Sequence, residues 1–591
     1  MPVKEKRADS LLCEFAPVTT AAWQAAIARD LKGADYDKRM VWRSEEGLAV
    51  KPYYTADDLR GLACVDTAPG DFPYRRGTRS KGDWGIREEV EAADVATANR
   101  DAQAAVAAGA DGISFTAVSV GTSAELDVLL SNLNEIPVHF AGANEQLVRL
   151  LHQRALARFK SNASGAQISA GLDALANLEL AAEIVKDAPD GFLPFAIRCD
   201  KLEESGATAI LEIGFALAAG VEFLREMAER GAAAALAAEA LEFSFSIGSN
   251  YAFEIAKLRA FRMVWARVAE KFGVRGPGAQ ARIASRTSRW NKTAYDRPMN
   301  VLRGTTEAMA AILGGADWVV VDPFDECCKE PNEESRRLAR NTQLILRHEA
   351  GLGRVADAAG GSYYFEAITD SLARDSWKLM QQIEARGGYK KAEAAGQIRQ
   401  ALHRSLETRE STVAQRRRVL VGTNQFANPA ERAIDMVDSG RMRKTHRASS
   451  AFEALRMRTE WFAAETGKMP RVLLAEFGDV KMRAARSQFA AHFVACAGFE
   501  IATKRFKKAD EIAAAECDLI ILCSADPEYA ALVAELMPKM RTLDRTTPVV
   551  VAGNPENAKA LMQAGVADFV HMRSDAIEVL TRWQGQLGIK N

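Results

Sequence analysis

Two blocks of alternating short apolar runs and long helical stretches constrain this 591-residue chain more than any other feature. Between about residues 85 and 370 the candidate strands are Gly112–Val118, Val138–Ala141, Leu193–Arg198, Phe243–Ile247, Arg282–Ser285 and Trp318–Asp322. Ala-rich helical stretches separate them, among them Glu91–Ala108, Ala143–Phe159, Ala207–Arg230 and Tyr251–Phe272. Such alternation implies a parallel sheet with helical crossovers. Six or more units over roughly 300 residues fit a closed (β/α)8 TIM barrel better than an open sheet. From Pro470 the beat restarts, with strands expected at Val472–Phe477, Phe499–Thr503, Leu519–Cys523, Val549–Ala552 and Phe569–Met572. These five βα units read as a flavodoxin-like doubly wound domain, so the α/β class holds throughout. In such sheets ligands sit beyond the carboxyl ends of the strands. Here that means the loops Gly478–Lys481, Ser524–Pro527 and Gly553–Pro555.

The remaining segments frame these blocks. Trp23, Ile27 and Leu31 fall on one face of a helix expected over Ala21–Leu31. A hairpin is expected from Arg39–Trp42 through the Glu45-Glu46-Gly47 turn to Leu48–Val50. Two long helices, Ile368–Arg386 and Lys390–Arg409, close the barrel region. Arg416 to Glu460 carries the basic runs Arg416-Arg417-Arg418 and Arg441, Arg443, Lys444, Arg447, which read as a solvated linker or a surface helix rather than an anion site. The expected organisation is an N-terminal helical arm over residues 1–30, a barrel domain over 31–425, a linker over 426–469 and the flavodoxin-like domain over 470–591.

Composition excludes several functions. Lys and Arg number 77 against 78 Asp and Glu, a net charge of −1 that gives no electrostatic case for nucleic acid or an anionic membrane. No stretch approaches 18 uncharged apolar residues, as a membrane span requires. Residues 1–15 mix Lys4, Lys6 and Arg7 with Glu5 and Asp9, so a cytoplasmic protein is expected. The eight cysteines, Cys13, Cys64, Cys199, Cys327, Cys328, Cys496, Cys517 and Cys523, form no Cys-x-x-Cys pair and read as reduced thiols. The seven histidines show no ligand spacing, and no metal site is expected.

A large barrel followed by a flavodoxin-like domain resembles the adenosylcobalamin-dependent acyl-CoA mutases, the methylmalonyl-CoA mutase family above all. The resemblance is carried by residues. Thr287-Ser288-Arg289-Trp290, Thr293-Ala294, Asp296, Asn300, Arg303 and Glu307-Ala308-Met309-Ala310 are similar to the family's T-S-G-W…T-A-x-D…N…R…E-A-M-A stretch. Glu254, Ala256-Lys257-Leu258-Arg259, Arg262 and Trp265 resemble its E-x-A-K-L-R-A-x-R-x-x-W helix. Ala339–Gln343 with Glu349, the Asp357, Gly361–Tyr364 turn, and Val421–Asn424 resemble three further family motifs. The likeness spans roughly residues 20 to 591.

The departures fall on chemistry. The family binds cobalt through a histidine in a D-x-H-x-x-G loop; with Asp479 on the family aspartate, Lys481 stands at the histidine and Ala484 at the glycine. A protonated lysine has no lone pair for cobalt. Met482 offers a thioether one residue on, but its place on the stripe Met482, Ala485, Phe489, Phe493, Cys496 reads as core packing. Glu89 replaces the family's catalytic tyrosine, and Asp200-Lys201 its Tyr-His pair. Lys160 to Glu179 shows no counterpart to the run carrying the substrate-carboxylate arginine. Arg282 and Ser285 do match a CoA-contacting R-T-H-S loop and are the candidate substrate-binding remnant.

The resemblance therefore implies a chain with no catalytic, cofactor or metal residues of its own: the non-catalytic small subunit of a heterodimer. Its large catalytic partner would hold adenosylcobalamin and isomerise methylmalonyl-CoA to succinyl-CoA, and acyl-CoA would be met only through that partner. The arm resembles one that wraps the other subunit in this family. Two other readings stay open: an active acyl-CoA mutase with non-standard cobalamin ligation, and a regulatory or chaperone-like mutase-binding protein. Whether the family's CoA tunnel survives in the barrel is also left open by the sequence.

Overall fold

The computed structural model describes residues 16, 18–160 and 166–590. Cys13 and all of residues 1–15, the first half of the expected arm, lie outside them. The chain divides into two compact units, residues up to Gly61 and residues from Leu62 onward.

In the first unit, Thr19 caps a helix over Thr20–Asp30 by accepting from the Ala22 amide at 3.2 Å. None of that helix's residues is buried within the unit, and Trp23 rests on Tyr53 with ring centroids 5.5 Å apart. The hairpin is shorter than expected. Strands β1 (Trp42–Arg43) and β2 (Ala49–Val50) pair antiparallel, whereas Arg39 and Met40 end a five-residue helix, Tyr36–Met40, that Asp35 caps. The Asp35 cap fixes helical geometry where the apolar pattern suggested a strand.

The second unit opens with a closed barrel of parallel strands: β3 (Gly85–Glu91), β4 (Gly112–Thr116), β5 (Val138–Phe140), β6 (Ile168–Asp173), β7 (Phe192–Arg198), β8 (Leu241–Ile247), β9 (Ile283–Thr287) and β10 (Trp318–Val320). β10 pairs back onto β3 and closes the ring. Two strands have no counterpart among the expected ones. β3 carries Arg87, Glu88, Glu89 and Glu91, which hide it from a search for apolar runs. β6 breaks register between Ser169 and Leu172, where Gly171 adopts φ +55°. A Cβ at Gly171 would come 2.9 Å from the Phe140 carbonyl oxygen, so only glycine passes there. The expected helix Lys390–Arg409 is two helices, Tyr389–Ala394 and Gln397–Ala414, because Gly396 turns left-handed at φ +71° between them.

The second block is a five-stranded parallel sheet: β11 (Arg471–Glu476), β12 (Glu500–Arg505), β13 (Leu519–Cys523), β14 (Val549–Ala552) and β15 (Asp568–Val570). Its order, β12-β11-β13-β14-β15, is that of the flavodoxin-like doubly wound sheet.

The segment expected to be solvated is so only in part: Arg417, Arg443 and Lys444 are exposed, whereas Arg447 and much of the helix that follows are buried. A helix over Ser450–Thr466 buries Phe452 and Leu455 in a core shared with Phe493 and Trp583 of the C-terminal sheet's helices and with Trp290 of the barrel. Its charges are buried in pairs. Arg447 grips Glu453 through two bonds of 2.8 and 2.7 Å. Arg456 stacks 4.1 Å over Tyr295, whose hydroxyl donates to Glu460 at 2.9 Å. Arg447 and Arg456 fasten this segment to the turn after β9 through Lys292 and Tyr295, which the charge pattern alone does not disclose.

Because Phe452 is fully buried at this junction, Phe452→Ala is expected to cost about 3–5 kcal/mol. The urea midpoint of the purified chain measures it; a shift worth less than about 1 kcal/mol would show that the junction is not a continuous core.

Candidate functional site

Ligands of such folds meet two places: the axis and C-terminal mouth of the barrel, and the crevice beyond the strands of the doubly wound sheet. In this chain its own side chains pack the barrel axis and bridge the loops at the crevice, while an open cavity of about 460 Å³ remains beside the helix that follows β11.

Trp318, first residue of β10, forms the floor of the barrel. A Cβ on Gly85 would lie 2.2 Å from its ring and one on Gly112 2.9 Å, so both glycines exist to admit the indole. The indole N–H donates to Gln167 at 3.3 Å, just before β6, so the side chain reaches across from β10. Arg87 of β3 stacks on it at 4.8 Å and donates to both oxygens of Glu242 on β8, at 3.3 and 3.2 Å. His139 of β5 completes the layer, its Nδ1 2.7 Å from the Ser169 hydroxyl on β6 and 3.5 Å from Glu242. Burial, with the Arg87 charge beside it, pushes the His139 imidazole down to about 3, so it is neutral. Burial drives the Glu242 carboxyl upward, but the charge and hydrogen bonds of Arg87, with His139 and Arg198 beside it, together hold Glu242 below its ordinary value. Residues from five strands thus close the axis.

Toward the mouth, Arg198 holds Asp200 through two bonds of 2.8 and 2.7 Å. Lys201, at the place of the family's histidine, turns outward to Glu204 at 2.7 Å. Glu89, at the place of the tyrosine, is held by Arg286 at 3.0 Å and Arg289 at 3.4 Å. Arg286 also grips Asp322 at 2.5 Å. Burial raises the Asp322 carboxyl, yet Arg286 and Arg289 together keep it below its ordinary value. A short helix, Ser439–Lys444, is tied to the edge of this lattice. Its Arg441 donates to Glu91 at 2.8 Å and to Glu326 at 2.9 Å.

The two remnant residues part company. Arg282 borders a cavity of about 420 Å³ at the N-terminal end of the barrel, with Arg79, Gln280, Asp317 and Trp318. Ser285, three residues on, lies by strand alternation on the other face of β9, and its buried hydroxyl has no hydrogen-bond partner among the described residues.

In the C-terminal sheet, Asp479 caps the helix Val480–Ala495 by accepting from the Met482 amide at 2.8 Å, and Lys481 is exposed. Glu528 bridges the first two loops. It accepts from the Asp479 amide at 3.1 Å, the Ala525 amide at 3.1 Å and the Ser524 hydroxyl. Its carboxylate lies where a Cβ on Gly478 (φ +70°) would sit. Arg486 pairs with Asp526 at 2.9 Å directly over Gly553. Tyr529, fully buried, accepts from the Ser524 amide at 3.0 Å and donates to the Ala552 carbonyl at 2.7 Å, joining the ends of β13 and β14. Each of the three loops read as ligand loops is stitched to a neighbour.

The expected apolar stripe of the Val480–Ala495 helix is only partly core. Phe493 and Cys496 are buried, but Met482 and Phe489 are half-buried and Ala485 is exposed, because the N-terminal half of the helix borders an open cavity with Phe426 and Met572. Among the described residues no group of three or more His, Cys, Asp and Glu side chains is placed to hold a metal. Arg87, His139, Glu242 and Trp318, which line the barrel axis, and Glu528, which bridges the crevice loops, are not singled out in the sequence, and Arg441, read there as solvated, binds Glu91 and Glu326 at the mouth. The signal available in advance was the density of charge on β3.

Comparison with known proteins places this geometry. A family model described as methylmalonyl-CoA mutase matches residues 43–129 and 154–467. The methylmalonyl-CoA mutase small subunit of Porphyromonas gingivalis is 32% identical over 99% of this chain and 100% of its own length. The small subunit of Streptomyces virginiae is 30% identical over 98% of each. The large subunit of P. gingivalis is 29% identical over 71% of this chain and 65% of its own length.

His139 gives the lumen a pH signature. Below its ordinary value of 6.5 the unfolded chain takes up a proton there that the folded chain refuses until about 3. This contribution is therefore complete above pH 6.5 and fades as pH falls through that window, by up to about 1.4 kcal/mol per pH unit. Urea midpoints at pH 7 and pH 5 are expected to fall less steeply in His139→Asn than in wild type. Equal slopes would mean that the imidazole is not desolvated in the folded barrel.

Proposed function

The chain belongs to the methylmalonyl-CoA mutase family, and we propose that it serves there as the non-catalytic small subunit of a heterodimer. Its larger partner carries adenosylcobalamin and converts methylmalonyl-CoA to succinyl-CoA; this chain supplies structure and stability. The observation that carries the proposal is the closed barrel axis, in which Trp318, Arg87, Glu242 and His139 stand where an acyl-CoA tunnel would run. The names of the full-length relatives support the same role.

The side chains do not fit a corrin. Lys481 offers no lone pair to cobalt while protonated, and Glu528, Arg486 and Tyr529 occupy the crevice in which a nucleotide tail would seat. At the mouth Arg286 and Arg289 are already neutralised by Glu89 and Asp322, and Arg198 by Asp200. An incoming acyl carboxylate would have to break those pairs and strand a buried charge, at about 3–5 kcal/mol for each pair broken. No helix among the described residues is long and apolar enough to cross a membrane, in keeping with the proposed cytoplasmic location.

An obligate interface with the large subunit should bury more than about 2,000 Å². Co-expression with a large mutase homologue, followed by size-exclusion chromatography with light scattering and equilibrium dialysis against adenosylcobalamin, tests the reading. The expected result is a one-to-one complex in which only the partner retains cobalamin. Glu89→Ala and Lys481→Ala should leave its turnover within roughly ten-fold of wild type, less than the loss of one catalytic donor would cost. Stoichiometric cobalamin on the isolated chain, a fall in kcat of about 10³ with the complex intact, or a chain that stays monomeric beside the homologue would overturn it.

A further inference from the structure

The open cavity of about 460 Å³ beside the helix Val480–Ala495 takes no part in the barrel axis, the mouth or the crevice. Ala490 and Val494 of that helix pack in one core with Val472 and Leu474 of β11. At 3.6 residues per turn, Ala485, Gln488, Phe489 and His492 fall on the other side of the helix, and it is these that line the cavity. The remaining walls come from the chain just past the last barrel helix, where Arg416, Gln425 and Phe426 stand, and from the loop after β15 with His571. The cavity therefore lies behind the helix rather than beyond the strand ends that Glu528 bridges.

Among the described residues that line it, Arg416 is the one cation and there is no Asp or Glu. Arg416 meets only neutral acceptors: its Nε donates to the Asn424 carbonyl at 2.8 Å and its Nη2 to the Gln425 side-chain oxygen. Its guanidinium stands 5.5 Å from the rings of Phe489 and Phe493, and Nη1 makes no hydrogen bond among the described residues. Burial pushes this guanidinium down, and no carboxylate is among the groups that oppose the shift. Arg416 also takes φ +58° just past the helix Gln397–Ala414, a place that glycine fills most easily, so its side chain is kept against the preference of the backbone. Two further donors border the same space. Gln425, whose oxygen takes the Arg416 bond, presents its Nε2 to His492 Nδ1 at 3.3 Å, which leaves the His492 proton on Nε2. His571 Nδ1 accepts from the Arg573 amide at 3.1 Å, so its proton also stands on Nε2. Burial, then the charges of Arg573 and Arg486, push His571 below its ordinary value. Phe426, 59% exposed, stands edge-on to His492 with ring centroids 5.1 Å apart.

We propose that this cavity is a binding site for a small aromatic carboxylate, whose anionic end pairs with Arg416 and whose ring lies against Phe426 and Phe489. The size and make-up are those of a small-molecule site, apolar walls with a few polar groups that fix orientation. The charge count sets the class. One uncompensated cation suits a monoanion, whereas a phosphate dianion would bring a second charge that nothing there offsets. The free Nη1 supplies a charge-assisted bond to the carboxylate, and the imidazole N–H groups add neutral ones. Arg286 and Arg289 at the mouth are spent on Glu89 and Asp322, so the unpaired cation sets this cavity apart from the mouth. A ligand here joins the end of the barrel domain to the second sheet's first helix and last loop, and the site does not depend on whether the chain is catalytic.

The test titrates the full-length chain by calorimetry with cinnamate, its uncharged amide cinnamamide, and inorganic phosphate. Cinnamate is expected to bind one to one with a Kd of about 1 mM or tighter, cinnamamide about ten-fold or more weakly, and phosphate without saturation. Hydrogen exchange in the presence of cinnamate should slow over residues 415–426 and 571–574, which places the ligand. Gln488 is exposed, so Gln488→Glu leaves the core intact while adding a carboxylate to the cavity wall. It should weaken cinnamate about ten-fold and leave cinnamamide unchanged, and Arg416→Gln, checked for folding by its urea midpoint, should do the same. Equal affinity for the acid and the amide would overturn the pairing with Arg416. Saturable phosphate binding that cinnamate displaces would overturn the ligand class. No cinnamate binding, binding that survives both substitutions, or protection of a different segment would overturn the site.

Discussion

Eight parallel strands closed into a ring leave an axis that must be packed or wetted, and in this chain an ion pair packs it. Arg87 and Glu242 are 5% and 2% exposed, so both charges have been taken out of water. Such burial is repaid only with near-ideal geometry and full hydrogen bonding. Arg87 meets both carboxylate oxygens and uses its flat face on Trp318. The rest of the lumen follows from that choice. Gly85 and Gly112 have no side chains because the indole under Arg87 needs their space. His139 is neutral because burial, and then the Arg87 charge beside it, disfavour its protonation, and Ser169 meets its Nδ1. An apolar plug would fill the axis equally well; a charged one also fixes which strands face one another, since Arg87 and Glu242 lie on β3 and β8.

The same logic extends to the mouth and to the C-terminal crevice. A catalytic pocket keeps charge uncompensated until substrate arrives, whereas here Arg198, Arg286, Arg289, Arg441 and Arg486 each have a carboxylate of the same chain within contact distance. Arg286, Arg289 and Arg441 share Glu89, Glu91, Asp322 and Glu326, so removing any one bond leaves others in place. Glu528 does for three backbone and hydroxyl donors what an anionic ligand does at an open loop cluster.

Much of this architecture is legible in the sequence, for reasons that can be named. Six of the barrel strands and all five of the second sheet are announced by apolar runs, because both faces of a parallel strand are buried. β3 is missed because its polar residues are buried in pairs, and their partners are remote: Glu242 stands 155 positions from Arg87, and Arg286 stands 197 from Glu89. No local window contains both members. β6 is missed because a glycine bulge interrupts its alternation, and the helix break at Gly396 because neighbouring residues on both sides favour helix. The basic run around Arg447 reads as solvated for the reason β3 is missed. Its Glu453 does lie within one helical window, but its burial depends on Trp290 and the second sheet arriving from elsewhere. Residue substitution at the family's chemical positions is visible without a structure; what fills the vacated space is not.

Fold and chemistry are carried by different residues here, and that is why one can persist without the other. Trp265 fits against Phe243 at 4.8 Å and into the space left by Gly220, and Arg259 holds Asp357 and Glu366. Asn300 and Arg303 tie the turn after β9 to the end of the barrel through Thr293 and Val421. Trp290 lies between Arg409 and Arg418, at 3.9 and 4.5 Å, inside the core that the barrel shares with the second sheet. All of these are family-motif positions or their immediate partners, and every contact just named lies outside the barrel axis. The substituted positions, Glu89, Lys201 and Lys481, touch the mouth or solvent, and none belongs to the hydrophobic core. Exchanging them leaves that core untouched, so a chain of this family loses its reaction at far lower cost in stability than it would lose its shape.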